Sequence, residues 1–209
     1  MAINRRTLLK GAGALIGLGT VSGGVAWWWN SPEFADLSNW TGFSADDVAL
    51  LNEIAESIIP ATNTPGAKAA DVGAFMAIAV TECFDPPEQA AFVAGLRRIE
   101  SLSVDRYGRS FRSISAAERS TVLAGIERER RRRELWNRGE RGLRILARRI
   151  YLGPPLVQVA HYFTMMQDLT VRGYFTSRLG ATETLRHRPV PGDYNGALPY
   201  RKGDRAWSL

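Results

Sequence analysis

The sequence predicts an all-α fold, a single helical domain with an extended Pro/Gly-rich C-terminal tail. Three observations predict it. Apolar residues recur at helical spacing in one segment after another, capping signatures precede two of those segments, and no strand-like alternation is sustained anywhere.

The first helix is announced by Ser44 with Asp47 three residues on, a capping box with Asp in place of the usual Glu. Val48, Leu51, Ala55, Ile58 and Ile59 follow on one face, and Pro60 ends the run. The stretch Pro60-Ala61-Thr62-Asn63-Thr64-Pro65-Gly66 reads as a loop, since Pro65 presets its own φ and Gly66 permits a positive one. A second helix is expected over about residues 69–84, with Val72, Phe75, Met76, Ala79 and Val80 on one face. Pro86-Pro87 opens a third, because proline is accepted in a first helical turn, and Phe92, Val93, Leu96 and Ile99 form its stripe. Tyr107-Gly108 marks a turn. Ser115-Ala116-Ala117-Glu118 is then a full S-x-x-E box before Val122, Leu123 and Ile126. Leu143, Leu146 and Ile150 suggest a further helix closed by Gly153-Pro154-Pro155, and residues 159–171 suggest one more.

From about Gly180 onward, Pro189, Pro191, Gly192, Gly196, Pro199 and Gly203 forbid a helix. Tyr194, Tyr200 and Trp207 make the segment too aromatic for a free linker, so it is expected to lie along a surface, this domain's own or a partner's.

The amino terminus has a separate purpose. Arg5 and Arg6 sit in Asn4-Arg5-Arg6-Thr7-Leu8-Leu9-Lys10, ahead of a glycine-diluted apolar run without charge until Glu33. In form this is a twin-arginine export signal, with Arg5, Arg6, Leu9 and Lys10 as its marker residues, addressed to the twin-arginine translocase. It divides the chain into a signal over residues 1–30 and a helical domain over residues 31–209. Residues 11–29 could also be retained as an anchor, with Trp27, Trp28 and Trp29 at the lipid–water interface. Either way the expected location is the periplasm, at or near the inner membrane.

Composition excludes several classes. The net charge is +6, of which Arg5, Arg6 and Lys10 supply three, so the exported domain has no nucleic-acid footprint. The single Cys83 excludes an internal disulfide, a Cys-ligated iron–sulfur cluster and a C-x-x-C-H haem site, and is expected to be a buried free thiol. No G-x-G-x-x-G opens a βαβ unit, and the two histidines, His161 and His187, have no metal-ligand spacing, so no cofactor and no metal are expected in this chain. His161 and Asp168, seven apart on one expected helix, are the pair that a small exported hydrolase would use. The arginine run over residues 128–133 reads as a solvated face, or as a contact for anionic lipid or an acidic partner.

Two separated motifs support a resemblance. Ile58-Ile59-Pro60-Ala61-Thr62-Asn63-Thr64-Pro65-Gly66-Ala67-Lys68-Ala69-Ala70-Asp71-Val72 resembles the I-I-P-x-T-x-T-P-G-A-x-x-A-x-V segment of the gluconate 2-dehydrogenase subunit 3 family. Gly173-Tyr174-Phe175-Thr176-Ser177, Gly180-Ala181-Thr182 and Pro189-Val190-Pro191-Gly192-Asp193-Tyr194-Asn195-Gly196 are similar to that family's closing motifs. The arginine-rich residues 128–149 depart from the family pattern. The resemblance implies a non-catalytic small subunit that brings the export signal to a large subunit similar to glucose-methanol-choline oxidoreductases. That large subunit would bind FAD, and a cytochrome c subunit often takes the electrons onward. A membrane-anchored scaffold is the alternative that the apolar N-terminal run and the arginines also suit.

If binding is the function, Pro60, Thr64, Pro65 and Gly66 are candidate contacts, because prolines and a glycine hold a loop's shape at low entropic cost. Tyr174, Phe175, Pro191, Tyr194 and Tyr200 are candidate anchors from the C-terminal part. Two roles stay open for both groups: contact with a partner, or internal support of the domain itself.

Overall fold

A computed structural model describes residues 40–139, 159–190, 192, 197, 199 and 201–208, with the side chains of residues 133–139 excepted. The described residues form five α-helices and no strand: α1 (Ala45–Ile58), α2 (Val72–Cys83), α3 (Pro86–Tyr107), α4 (Ala116–Gly139) and α5 (Tyr162–Thr176), followed by one π-helical turn (Gly180–Thr184). The helix expected around Leu146, the export signal, and Pro191, Tyr194 and Tyr200 lie outside the described residues.

The capping signatures act as the sequence indicates. Ser44 Oγ accepts from Asp47 N at 3.2 Å while Asp47 returns a carboxylate to Ser44 N at 3.0 Å. Ser115 and Glu118 do the same at the start of α4, at 3.3 and 2.7 Å. A third box went unread: Asp85 and Glu88 pair reciprocally before Pro86 and Pro87. Gly108 closes α3 at φ 66°, the left-handed cap that glycine adopts without penalty.

Two boundaries and one burial differ from expectation. Helix α2 starts at Val72 and not near residue 69, because Asp71 takes a left-handed conformation (φ 51°) that breaks the helical path. Helix α5 is shifted to Tyr162–Thr176, with His161 as its cap. Cys83 is exposed although its spacing puts it in line with the buried Val72, Met76 and Val80, because it is the last residue of α2.

Helix α5 is the centre of the domain and packs against all four other helices. Its Met166 and Thr170 are fully buried, and Thr170 satisfies its hydroxyl by donating to Met166 O at 2.7 Å. The core around it takes Leu51 and Ile54 from α1, Met76 from α2, Phe92 and Ile99 from α3, and Ile126 from α4. Helix α3 approaches α5 at Gly95, where a methyl group would stand 2.2 Å from Cγ of the buried Tyr162. No helix among the described residues is long and apolar enough to cross a membrane.

The last residues of the tail pair with its beginning. Arg186 N donates to Ala206 O at 2.8 Å, Ser208 N donates to Arg186 O at 2.9 Å, and the Arg186 guanidinium lies over the Trp207 ring at 5.4 Å. The Arg186–Trp207 pair thus closes the segment between them into a loop.

Gly95→Ala is expected to destabilise the domain by about 1–3 kcal/mol, because the buried ring has no room to retreat. Gly125→Ala, in α4 with nothing within 4 Å of the added carbon, should stabilise it by about 0.5–1 kcal/mol through helix propensity. Urea unfolding of the two variants checks this. Equal shifts would contradict the close approach of α3 to α5.

Candidate functional site

The connection between α1 and α2 contains no regular structure, so its backbone donors need partners from elsewhere. One carboxylate supplies two. Glu56, on the last turn of α1, accepts from Ala61 N at 2.8 Å through Oε1 and from Lys68 N at 2.9 Å through Oε2. It thereby ties both arms of the loop to one group. Thr62 N to Thr64 O (3.0 Å) and Ala67 N to Ile59 O (2.9 Å) complete the turn. Gly66 is buried directly over this carboxylate: a Cβ there would stand 2.3 Å from both oxygens. The expected positive φ is not what selects glycine at this position. Space for Glu56 is.

The far arm is fastened by Asn52. Its Nδ2 donates to Asp71 Oδ1 at 2.9 Å and its Oδ1 accepts from Gly73 N at 2.8 Å. Asp71 makes no side-chain cap of its own, so Asn52 of α1 satisfies an early amide of α2 that would otherwise be unpaired.

Tyr174 brings the C-terminal motif to the loop. Its ring is 1 % exposed, and its hydroxyl donates to Pro65 O. Because that proton is committed to a carbonyl, the 2.7 Å contact with Thr184 Oγ1 has the threonine as donor. One hydroxyl therefore joins the loop, α5 and the π-helical turn. Gly180 is required beside it, since a Cβ would stand 2.0 Å from Tyr174 O.

Electrostatics reinforce the same junction. Glu53, one turn before Glu56, pairs with Lys68 of the loop and with Arg119 of α4. Arg119 also donates to Phe111 O at 3.0 Å and Arg112 O at 2.8 Å, so each of its three guanidinium nitrogens has a partner. Burial pushes the Glu53 carboxyl up, but the hydrogen bond from Lys68 and the charges of Arg119 and Lys68 outweigh it, so its pKa is lowered. On α4, Arg130 and then Arg131 hydrogen-bond Glu127 and hold it down to about 2.

The sequence-predicted residues divide by exposure. Pro60 is exposed, Thr64 and Pro65 are half-buried, and Gly66 is buried. Tyr174 places its side chain inside the domain, while its neighbour Phe175 is 38 % exposed. Phe75 and Ile78 add an exposed apolar pair one turn apart on α2. Glu56, Asn52, Glu53, Arg119 and Thr184 were not singled out by sequence. The first four are polar residues within ordinary helical patterns and Thr184 is one of several hydroxyls at the start of the tail, and no local signal marks which partner each will meet.

Chemistry finds little here. His161 Nδ1 accepts from Phe163 N at 3.2 Å and its ring stacks on Tyr162, the arrangement of a helix cap, while Asp168 is exposed. Among the described residues no group of three metal-ligating side chains converges. A cleft lined by Trp40, Phe43, Asp47 and Val93 encloses about 50 Å³, well below the ~300 Å³ at which small-molecule sites begin. What the site presents is a braced surface: the exposed turn over residues 60–63, with Phe175 held by the same Tyr174 that grips Pro65.

Comparison with known proteins agrees with the two motifs. The family model described as Gluconate 2-dehydrogenase subunit 3 matches residues 45–192. No curated protein and no solved structure matches the chain.

Tyr174→Phe should cost about 1–3 kcal/mol, since it leaves Pro65 O unpaired. It should also speed amide exchange at Ala61 and Lys68; unchanged exchange would show that the hydroxyl does not brace the loop. Acidification provides a second check. A carboxylate with a lowered folded pKa contributes stability that is fully present above its ordinary value of 4.5 and is lost as pH falls through the folded value. For Glu127 that window runs from 4.5 to about 2. Urea midpoints recorded from about pH 6 down to about pH 3 should fall less steeply for Glu53→Gln than for the native chain. Parallel curves would remove Glu53 from the account.

Proposed function

We propose, from the premise that the chain belongs to the gluconate 2-dehydrogenase subunit 3 family, that it is the non-catalytic small subunit of a periplasmic, membrane-associated, FAD-dependent sugar or polyol dehydrogenase. A subunit 3 implies other dehydrogenase subunits, and the match over residues 45–192 is the observation that carries the reading. In this proposal the chain supplies the export address through Arg5, Arg6, Leu9 and Lys10, and escorts a folded flavoprotein of the glucose-methanol-choline type. The flavin belongs to that partner, and a cytochrome c subunit is a further candidate member.

Two features support binding as this chain's contribution. A loop whose backbone is already satisfied by Glu56 and Tyr174 loses little conformational freedom on association. On α2 and α5, exposed Phe75, Ile78 and Phe175 provide apolar area of the kind that interfaces bury at their centres. The twin-arginine route suits the same logic, since it is used by proteins that fold before they cross. A chain without a cofactor gains from that route when its partner needs one.

Tagging the C-terminus, isolating the protein gently from its native cell envelope and recording its absorbance tests the reading. A flavin spectrum with a stoichiometric large chain is expected. A colourless, solitary protein would sink the proposal. Replacing Arg5 and Arg6 by lysine should leave flavin-dependent dehydrogenase activity in the cytoplasm; activity that still reaches the periplasm would remove the escort role.

A further inference from the structure

Residues 127–149 contain ten arginines against four glutamates, an excess equal to the +6 of the entire chain. The remaining residues are therefore neutral in sum, and the charge of the protein is concentrated in one segment. Its described beginning is the second half of α4. Ile126 is the last buried residue among those of α4 whose side chains are described, and Arg128, Arg131 and Arg132 beyond it are exposed. Their spacing of three and four residues places them along one side of the helix.

Glu127, which faces the first turn of this segment, does not cancel the face. Glu127 is taken by Arg130, which grips it through Nε and Nη2 at 2.8 Å with a side chain only 17 % exposed. Arg131 also touches Glu127, through Nε at 2.7 Å, yet its side chain remains 71 % exposed. Arg128 donates through Nε to Ala124 O at 3.2 Å. In both arginines the bonded atom is Nε, which leaves the paired Nη donors to a second partner. A guanidinium fork of this kind matches phosphate oxygens in geometry as well as in sign.

We infer that the Arg128–Arg131–Arg132 face of α4 docks on the anionic phosphate headgroups of a lipid bilayer. A membrane is favoured over an acidic protein because attraction to a charged sheet adds up over a cluster of exposed cations and requires no shaped cavity. The cluster here is exposed and belongs to the segment, residues 127–149, whose excess charge equals the net charge of the chain. The inference deepens the membrane-association part of the reading above and is independent of which dehydrogenase the chain serves.

Flotation of the full chain, with whatever subunits accompany it, on phosphatidylcholine vesicles with and without about one third phosphatidylglycerol tests it. Binding to the anionic vesicles is expected to exceed binding to the neutral ones and to weaken as salt rises from about 0.1 to about 0.5 M. The triple variant Arg128→Gln, Arg131→Gln, Arg132→Gln should bind the anionic vesicles about a hundredfold less tightly, each arginine near such a surface contributing roughly fivefold. The matching arginine-to-lysine triple, with its charge intact, should stay within about tenfold of the native chain; equal losses in the two triples overturn the inference. If native and glutamine chains bind equally well, the arginine face is not the docking element although membrane association stands. If neither binds, both the face and membrane association fail. Unchanged vesicle binding with loss of a co-purifying acidic chain overturns the inference in favour of a protein surface.

Discussion

Two side chains complete a loop that only partly satisfies itself, and the arrangement of the domain follows from that constraint. The connection between α1 and α2 contains Pro60 and Pro65 and forms no regular helix or ladder, so the polar backbone groups that its own turns leave over need side-chain partners. Glu56 binds one amide on each arm, and Tyr174 reaches the carbonyl between them. For Tyr174 to arrive there, α5 must run through the middle of the domain. For its hydroxyl to be fully used, the π-helical turn must bring Thr184 alongside.

The two glutamates one turn apart on α1 are held in two different ways. Glu56 is held by neutral amides, which fix its position and leave no room for a side chain on Gly66. Glu53 is held by Lys68 and Arg119, which link the same loop to α4. The first arrangement sets the loop's shape and the second sets its position relative to the neighbouring helices. A surface built this way is held in one shape by the domain's own side chains.

Much of this architecture is legible along the chain. Both capping boxes read from sequence form as read, and the stripes of α3 and α4 become buried. On α1, Leu51 and Ala55 are joined in the core by Leu50 and Ile54, which the stripe omits, while Val48, Ile58 and Ile59 are half-buried. The departures have a common origin. Cys83 is apolar in character yet exposed, because a helix end leaves the packed face. Helix α2 starts late because Asn52, a residue of another helix, supplies the cap and stabilises Asp71 in its left-handed conformation. For Tyr174 the sequence leaves a partner contact and internal support both open, and burial of its ring with the hydroxyl satisfied by a carbonyl and a threonine decides for the second.

Local periodicity, proline and glycine punctuation and the capping residues by themselves determined an all-helical domain, the edges of most helices, and the two motifs that mark the family. These are signals between residues a few positions apart, and the chain displays them directly. Only the tertiary structure decided which polar groups meet: Tyr174 with Pro65, Glu53 with Arg119, Asn52 with Asp71. Partners so far apart in sequence come together because burial of the apolar stripes brings their helices into contact, and a buried polar group must then find a partner or bear the full cost of its lost water.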